Sequence, residues 1–136
     1  MRRVWIAMVI IATPSGIDRP ATAQTFGSPI HFTEQGGAAV YGSVCAACHM
    51  PDGRGAEGAG RYPSLAHNIR LQEPGYPIAI ILWGQGAMPP FARTLSDQQI
   101  ADVVGYVQTH FGNAYPQAPT PADVKTARLS KTDQTR

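Results

Sequence analysis

Cys45-Ala46-Ala47-Cys48-His49 is the stretch from which the rest of this 136-residue chain is read. A C-x-x-C-H run has the spacing of a c-type haem attachment site. Two thiols three residues apart can each form a thioether with one vinyl group, and the adjoining imidazole then falls beneath the iron as its proximal ligand. A structural zinc would need four ligands, commonly as two Cys/His pairs, and Cys45 and Cys48 are the only cysteines. A C-x-x-C redox pair needs a βαβ setting, and no pattern here supplies one.

Upstream of the motif, Tyr41, Val44, Cys45 and Cys48 recur at helical spacing. A helix N-capped by Thr33 and beginning at Glu34 would bring the aromatic, the valine and both sulfurs to one face. Gly36, Gly37 and Gly42 are poor helix formers, and Gly37, one turn before Tyr41, marks a place where another backbone can approach closely. Downstream, residues 51–60 (PDGRGAEGAG) form a turn-rich loop. The loop lacks the lysine and the strand-loop-helix setting of a phosphate cradle, and wrapping a haem edge suits it better.

Further along, residues 68–73 are expected to hold a short helix. The period of residues 77–83 (PIAIILW) does not separate helix from buried strand, but Pro77 at a first helical position and Gly84 just past the end favour a second helix. Two successive prolines, Pro89 and Pro90, exclude regular structure from residues 86–91. The best-defined helix follows. Ser96 caps it, Gln99 completes a capping box and Leu95 staples onto Ile100. Ile100, Val103, Val104, Val107 and Phe111 form the inner face, Gln98, Asp102 and Gln108 the wet one, and Gly112-Asn113 ends it. Residues 113–136 are Pro- and Thr-rich, with a turn or two of helix capped at residues 120–123. This tail is expected to pack poorly or lie over the surface.

A second axial ligand for the iron has five candidates: Met50, Met88, His31, His67 and His110. Met50 adjoins the proximal ligand and cannot also reach the opposite face. The three histidines fall in the lead-in, in a loop and late on the last helix. Met88 sits in the proline-stiffened loop between Gly86 and Phe91, which suits a soft thioether held against iron; an ordinary core methionine is the competing reading. A His/Met pair raises the reduction potential and fills both axial positions, which favours electron transfer. The alternative is a haem enzyme or gas sensor with an open distal position.

The chain opens like a secretory signal: Arg2 and Arg3, an apolar run over residues 4–12, and an A-x-A site at Ala21-Thr22-Ala23. The apolar run is too short to span a bilayer, so no stable membrane insertion is expected and a periplasmic location is. Cleavage would take three of the 11 basic and one of the nine acidic residues, leaving eight of each. A near-neutral mature chain lacks the basic footprint of a nucleic-acid binder.

Taken together, these residues resemble the class I c-type cytochromes over about residues 33–111. The resemblance is carried by Gly37 and Tyr41 ahead of the haem motif, Asp52-Gly53-Arg54-Gly55 after it, Tyr62-Pro63-Ser64-Leu65, Met88-Pro89-Pro90-Phe91, and Val103-Val104-Gly105-Tyr106-Val107. It implies an all-α cytochrome c fold, three to five short helices wrapped around one covalent haem c, with the terminal helices crossing where Tyr106 packs near Gly37. It also implies Cys45 and Cys48 as haem attachments and His49 and Met88 as axial ligands. The Pro63 carbonyl would accept a hydrogen bond from the His49 ring, and Tyr62 and Phe91 would lie against the cofactor. The domain organisation is then a signal peptide (1–23), a loose lead-in (24–32), a cytochrome domain (33–112) and the tail (113–136). Residues 112–115 (GNAY) and 120–124 (TPADV) are similar to segments in small cytochrome subunits of bacterial periplasmic dehydrogenases. That similarity implies an electron carrier rather than an enzyme, with a flavin, quinoprotein or molybdenum dehydrogenase as donor and a cytochrome or terminal oxidase as acceptor.

Overall fold

A helix does run into the two cysteines, but it begins at Gly37 rather than at Glu34. In the computed structural model, which describes residues 31–58 and 60–133, Thr33 lies in an extended segment and Gly36 breaks the chain direction at φ 82°. The reason is a competitor for the backbone. The buried Gln99 side chain donates to the carbonyls of Phe32 (2.8 Å) and Glu34 (2.9 Å), which fixes the lead-in as an extended strap. The signal segment and residues 24–30 of the lead-in lie outside the described residues.

The first helix has three parts in continuous register: α1 (Gly37–Val40), a π turn (Tyr41–Cys45) and α2 (Ala46–His49). A π turn inserts a residue into the helical period, and here it divides the expected single face. Tyr41 is buried at 3% exposure against Tyr106 and Phe111, at ring separations of 5.5 and 4.9 Å. Val44, Cys45 and Cys48 instead open onto a cavity.

α3 (Gly75–Trp83) starts two residues ahead of Pro77 and is closed by Gly84 at φ 72°. Pro77 therefore sits within the first turn, where its missing N–H has no intrahelical partner to lose. α4 (Asp97–Thr109) carries the full Ser96/Gln99 capping box. It stops short of the expected end, because Phe111 and Gly112 turn left-handed at φ 59° and 78°. α1 crosses α4 at Gly37, where an added Cβ would overlap the Asp102 carbonyl and the Tyr106 Cβ. That close approach is what the glycine permits. Val40, Leu82, Ile100, Val103 and Val104 form the centre of the core.

Gln108, expected on the wet face, is fully buried and donates to the Leu71 carbonyl at 2.8 Å. Leu71 belongs to the short 3-10 turn Ile69–Leu71, which the Asn68 side chain caps. A two-residue hairpin, β1 (Ala56–Glu57) with β2 (Arg61–Tyr62), lies within the turn-rich loop. It leaves the chain mostly helical.

The tail departs furthest from expectation. Residues 121–133 form α5 (Pro121–Asp133), packed on α3 and α4. Its start is the Thr120/Asp123 cap: Asp123 Oδ2 accepts from the Thr120 N–H at 2.7 Å and the Asp123 N–H donates to Thr120 Oγ1 at 3.3 Å. Val124 is fully buried in the core. Only one large apolar side chain is spent, which is why hydropathy gives little sign of a docked helix. Among the described residues, no helix is long and apolar enough to cross a membrane.

Candidate haem site

α2 delivers Cys48 and His49 to the floor of a cavity of about 370 Å³, and α3, α4 and the loop after α3 wall it. All seven residues singled out in the sequence line it: Cys45, Cys48, His49, Tyr62, Pro63, Met88 and Phe91. Its walls are largely aliphatic, with Val44, Leu65, Leu71, Ile81, Val103 and Val107 among them. Two arginines, Arg61 and Arg70, stand at the cavity, and among the described residues no carboxylate does.

His49 is 8% exposed, and its Nδ1 lies 3.0 Å from the Pro63 carbonyl oxygen. A carbonyl can only accept, so Nδ1 carries a proton, and in the neutral ring the lone pair is then on Nε2. That is the tautomer a metal ligand needs. The loop that brings Pro63 back is tied to the helix by its backbone: Gly55 N–H donates to the His49 carbonyl at 3.0 Å, and Leu65 N–H to that of Gly53 at 2.7 Å. Asn113 locks the far end. Its Nδ2 donates to the carbonyls of Leu65 and Val107, each at 2.8 Å, and its Oδ1 accepts from the Asn68 N–H at 2.9 Å. Asn113 had been legible only as a helix stop; nothing local announces a brace 45 residues away.

Burial, with the nearby Cys48 as a lesser cause, pushes the Cys45 thiol up to about 12. A thiol so disposed stays protonated at neutral pH, the opposite of the lowered pKa that marks a catalytic C-x-x-C pair. Among the described residues no cluster of three or more His, Cys, Asp or Glu is placed to hold a metal ion by itself. The donor set is thus two thiols, one oriented imidazole and one thioether around an apolar slot. It fits a flat, apolar macrocycle bonded through sulfur.

Met88 is presented by a tight turn in which Gln85 and Met88 exchange backbone hydrogen bonds of 3.1 and 3.0 Å. Gly84 lets this turn fold over the end of α3, since a Cβ there would meet the Met88 carbonyl oxygen. The other ligand candidates stand apart. His67 packs on Gly112, His110 stacks on Tyr106 at 3.9 Å, and the Met50 carbonyl accepts from the Tyr41 hydroxyl at 2.7 Å. A more open groove of about 560 Å³, beside His31, Asp97 and Arg128, contains no sulfur.

The family described as cytochrome c oxidase, cbb3-type, subunit III matches residues 33–107. The chain belongs to this cytochrome c family. Its cofactor is accordingly haem c, covalently bound and carrying iron. The chain is 43% identical over 102 residues to the fructose dehydrogenase cytochrome subunit of Gluconobacter japonicus, covering 64% of this chain and 20% of that protein. It is 37% identical over 115 residues to the gluconate 2-dehydrogenase cytochrome c subunit of Pantoea cypripedii, covering 74% and 25%. Cytochrome c-552 of Thermus thermophilus is 34% identical over 95 residues, covering 57% of this chain and 70% of that one. The chain thus spans a fifth to a quarter of the two dehydrogenase subunits. These relatives are named as cytochromes or cytochrome subunits, and they lend no support to a haem enzyme or gas sensor.

Proposed function

We propose that the chain relays single electrons through a haem attached to Cys45 and Cys48 and held axially by His49 and Met88. The observation that carries this is the convergence of both thiols, the oriented imidazole and the thioether on one apolar cavity. When bound, the haem iron supplies the chemistry by cycling between Fe(III) and Fe(II). The protein's part is to hold that group still and dry. Cys45 and Cys48 would tether it, and Pro63, by holding the His49 ring through Nδ1, leaves Nε2 available as a ligand. Met88 would supply a second, soft ligand. Val103 and Val107 line the slot and would keep water out, Tyr62 and Phe91 line it beside them, and Arg61 and Arg70 are the cations that would meet the carboxylates of the bound group.

The chain performs no substrate chemistry of its own in this reading. Its donor is a periplasmic dehydrogenase, a reading supported by the likeness to cytochrome subunits of fructose and gluconate dehydrogenases, and its acceptor is a cytochrome or terminal oxidase. Export by the N-terminal signal would place it there. Contact is small and transient, as redox encounters are. With the signal removed the charges balance, so transfer rates should depend weakly on salt. Acid-acetone extraction followed by a pyridine-haemochrome spectrum tests the attachment. In protein matured by a host with c-type assembly, the colour stays with the wild type and leaves with the solvent after Cys45→Ser/Cys48→Ser. Extractable haem in the wild type would refute it.

A further inference from the structure

We propose that α5 is a strap on the distal loop and that Arg128 is a positioning residue for Met88. The inference rests on the reading of Met88 as iron ligand. In the loop between α3 and α4 the backbone ties thin out just after the Gln85/Met88 pair. Pro89 and Pro90 carry no N–H, so the two residues after Met88 cannot anchor the backbone as donors. The next anchors are Phe91 N–H on the Ile81 carbonyl at 2.9 Å and Ala92 N–H on that of Leu82 at 3.3 Å. Beyond them the Thr94 and Leu95 N–H groups turn back onto the Phe91 carbonyl at 3.1 and 3.0 Å, and one guanidinium ties this turn to α5. Arg128 Nη1 donates to the Ala92 carbonyl, Nη2 to the Leu95 carbonyl at 2.8 Å, and Nε to Asp97 at the start of α4. The Arg128 and Asp97 side chains are only 23% and 30% exposed, so water competes weakly for these bonds. Val124, fully buried one turn earlier, seats the helix that carries the arginine. The helix that carries Val124 and Arg128 lies beyond residue 107, where the family match ends.

A thioether is a replaceable ligand, and an external base reaches the iron only when the loop lifts. Its apparent affinity is therefore scaled by the open fraction. Imidazole titrated into the ferric, full-length holoprotein reads that fraction directly. Arg128→Gln should raise imidazole affinity by about tenfold or more, because it removes charge-assisted bonds from the loop's far end. Arg128→Lys, with a single ammonium for three acceptors, should fall between. Gly37→Ala, which presses on Asp102 and Tyr106 away from α5 and the distal loop, should lower the melting temperature and leave imidazole affinity unchanged, which separates strapping from mere stability. Equal affinity in wild type and Arg128→Gln overturns the proposal. If Arg128→Gln fails to accumulate, Arg128→Lys and Asp97→Asn decide: raised affinity in either supports the strap, and unchanged affinity in both overturns it. Should Met88→Ala leave imidazole binding as in wild type, the ligand reading itself fails and takes the inference with it. That outcome differs from failure of the strap alone, in which Met88→Ala still raises affinity and the Arg128 variants do not.

Discussion

The two sides of the cavity are held by different kinds of chemistry. On the His49 side, the loop over residues 50–66 is bonded backbone to backbone along its length, and its long-range brace is Asn113, a neutral amide 6% exposed. On the Met88 side, two prolines thin out the backbone bonds and the brace is a charged, partly wet arginine from a different helix. A neutral buried brace makes a rigid wall whose loss costs stability. A charged brace at the rim makes a gate whose loss changes occupancy. Loss of Met88 should therefore show in potential and ligand binding, and loss of Asn113 in melting.

Met88→Ala carries the largest functional effect. Without the thioether the reduction potential should fall by on the order of 100 mV, within the ~0.8 V that axial ligands span. Ferrous protein should then bind carbon monoxide, while melting shifts little. A potential unchanged in redox titration would remove Met88 from the iron.

Asn113→Ala should cost about 3 kcal/mol, from three lost hydrogen bonds and the Asn68 N–H and Leu65 carbonyl left without partners. Denaturant melts measure it, and the potential should stay near the wild-type value. If instead the potential moves and stability does not, the contrast between wall and gate is wrong. Gly37→Ala touches neither side of the cavity and serves as the reference. Its Cβ would press on Asp102 and Tyr106 where α1 crosses α4, at a cost of about 1–3 kcal/mol. Imidazole affinity should not respond.

The difference between the two sides also governs what the amino-acid order reveals. The C-x-x-C-H run, the Ser96/Gln99 box and the Pro89-Pro90 pair are local signals, and each is found where the order placed it. What escaped is long-range and polar. Gln108 reads as solvent-facing until a 3-10 turn 37 residues earlier offers it carbonyls. Thr33 reads as a cap until Gln99 takes the Phe32 and Glu34 carbonyls. α5 reads as a loose tail because it docks through one valine and one guanidinium, and neither raises an apolar periodicity. Backbone carbonyls satisfied by distant side chains leave no pattern in composition.

Tyr41 offers the smallest test and the finest. Its hydroxyl donates to the Met50 carbonyl at 2.7 Å, directly after His49. Tyr41→Phe should lose about 1 kcal/mol at neutral pH. Burial first, and nearby negative charge second, pushes the phenol from 10 up to about 12. Below pH 10 the group is neutral in both folded and unfolded chains and stability does not vary on its account. Between about 10 and 12 the unfolded chain gives up the proton while the folded one keeps it, so stability falls as pH rises. Attachment of Cys45 to haem removes that thiol's charge but not the burial, so the direction survives in the holoprotein. Denaturant midpoints measured from pH 9 upward should slope less steeply in Tyr41→Phe than in wild type. Parallel slopes would mean that the hydroxyl stands in water, and that the helix leading to His49 is not pinned from below.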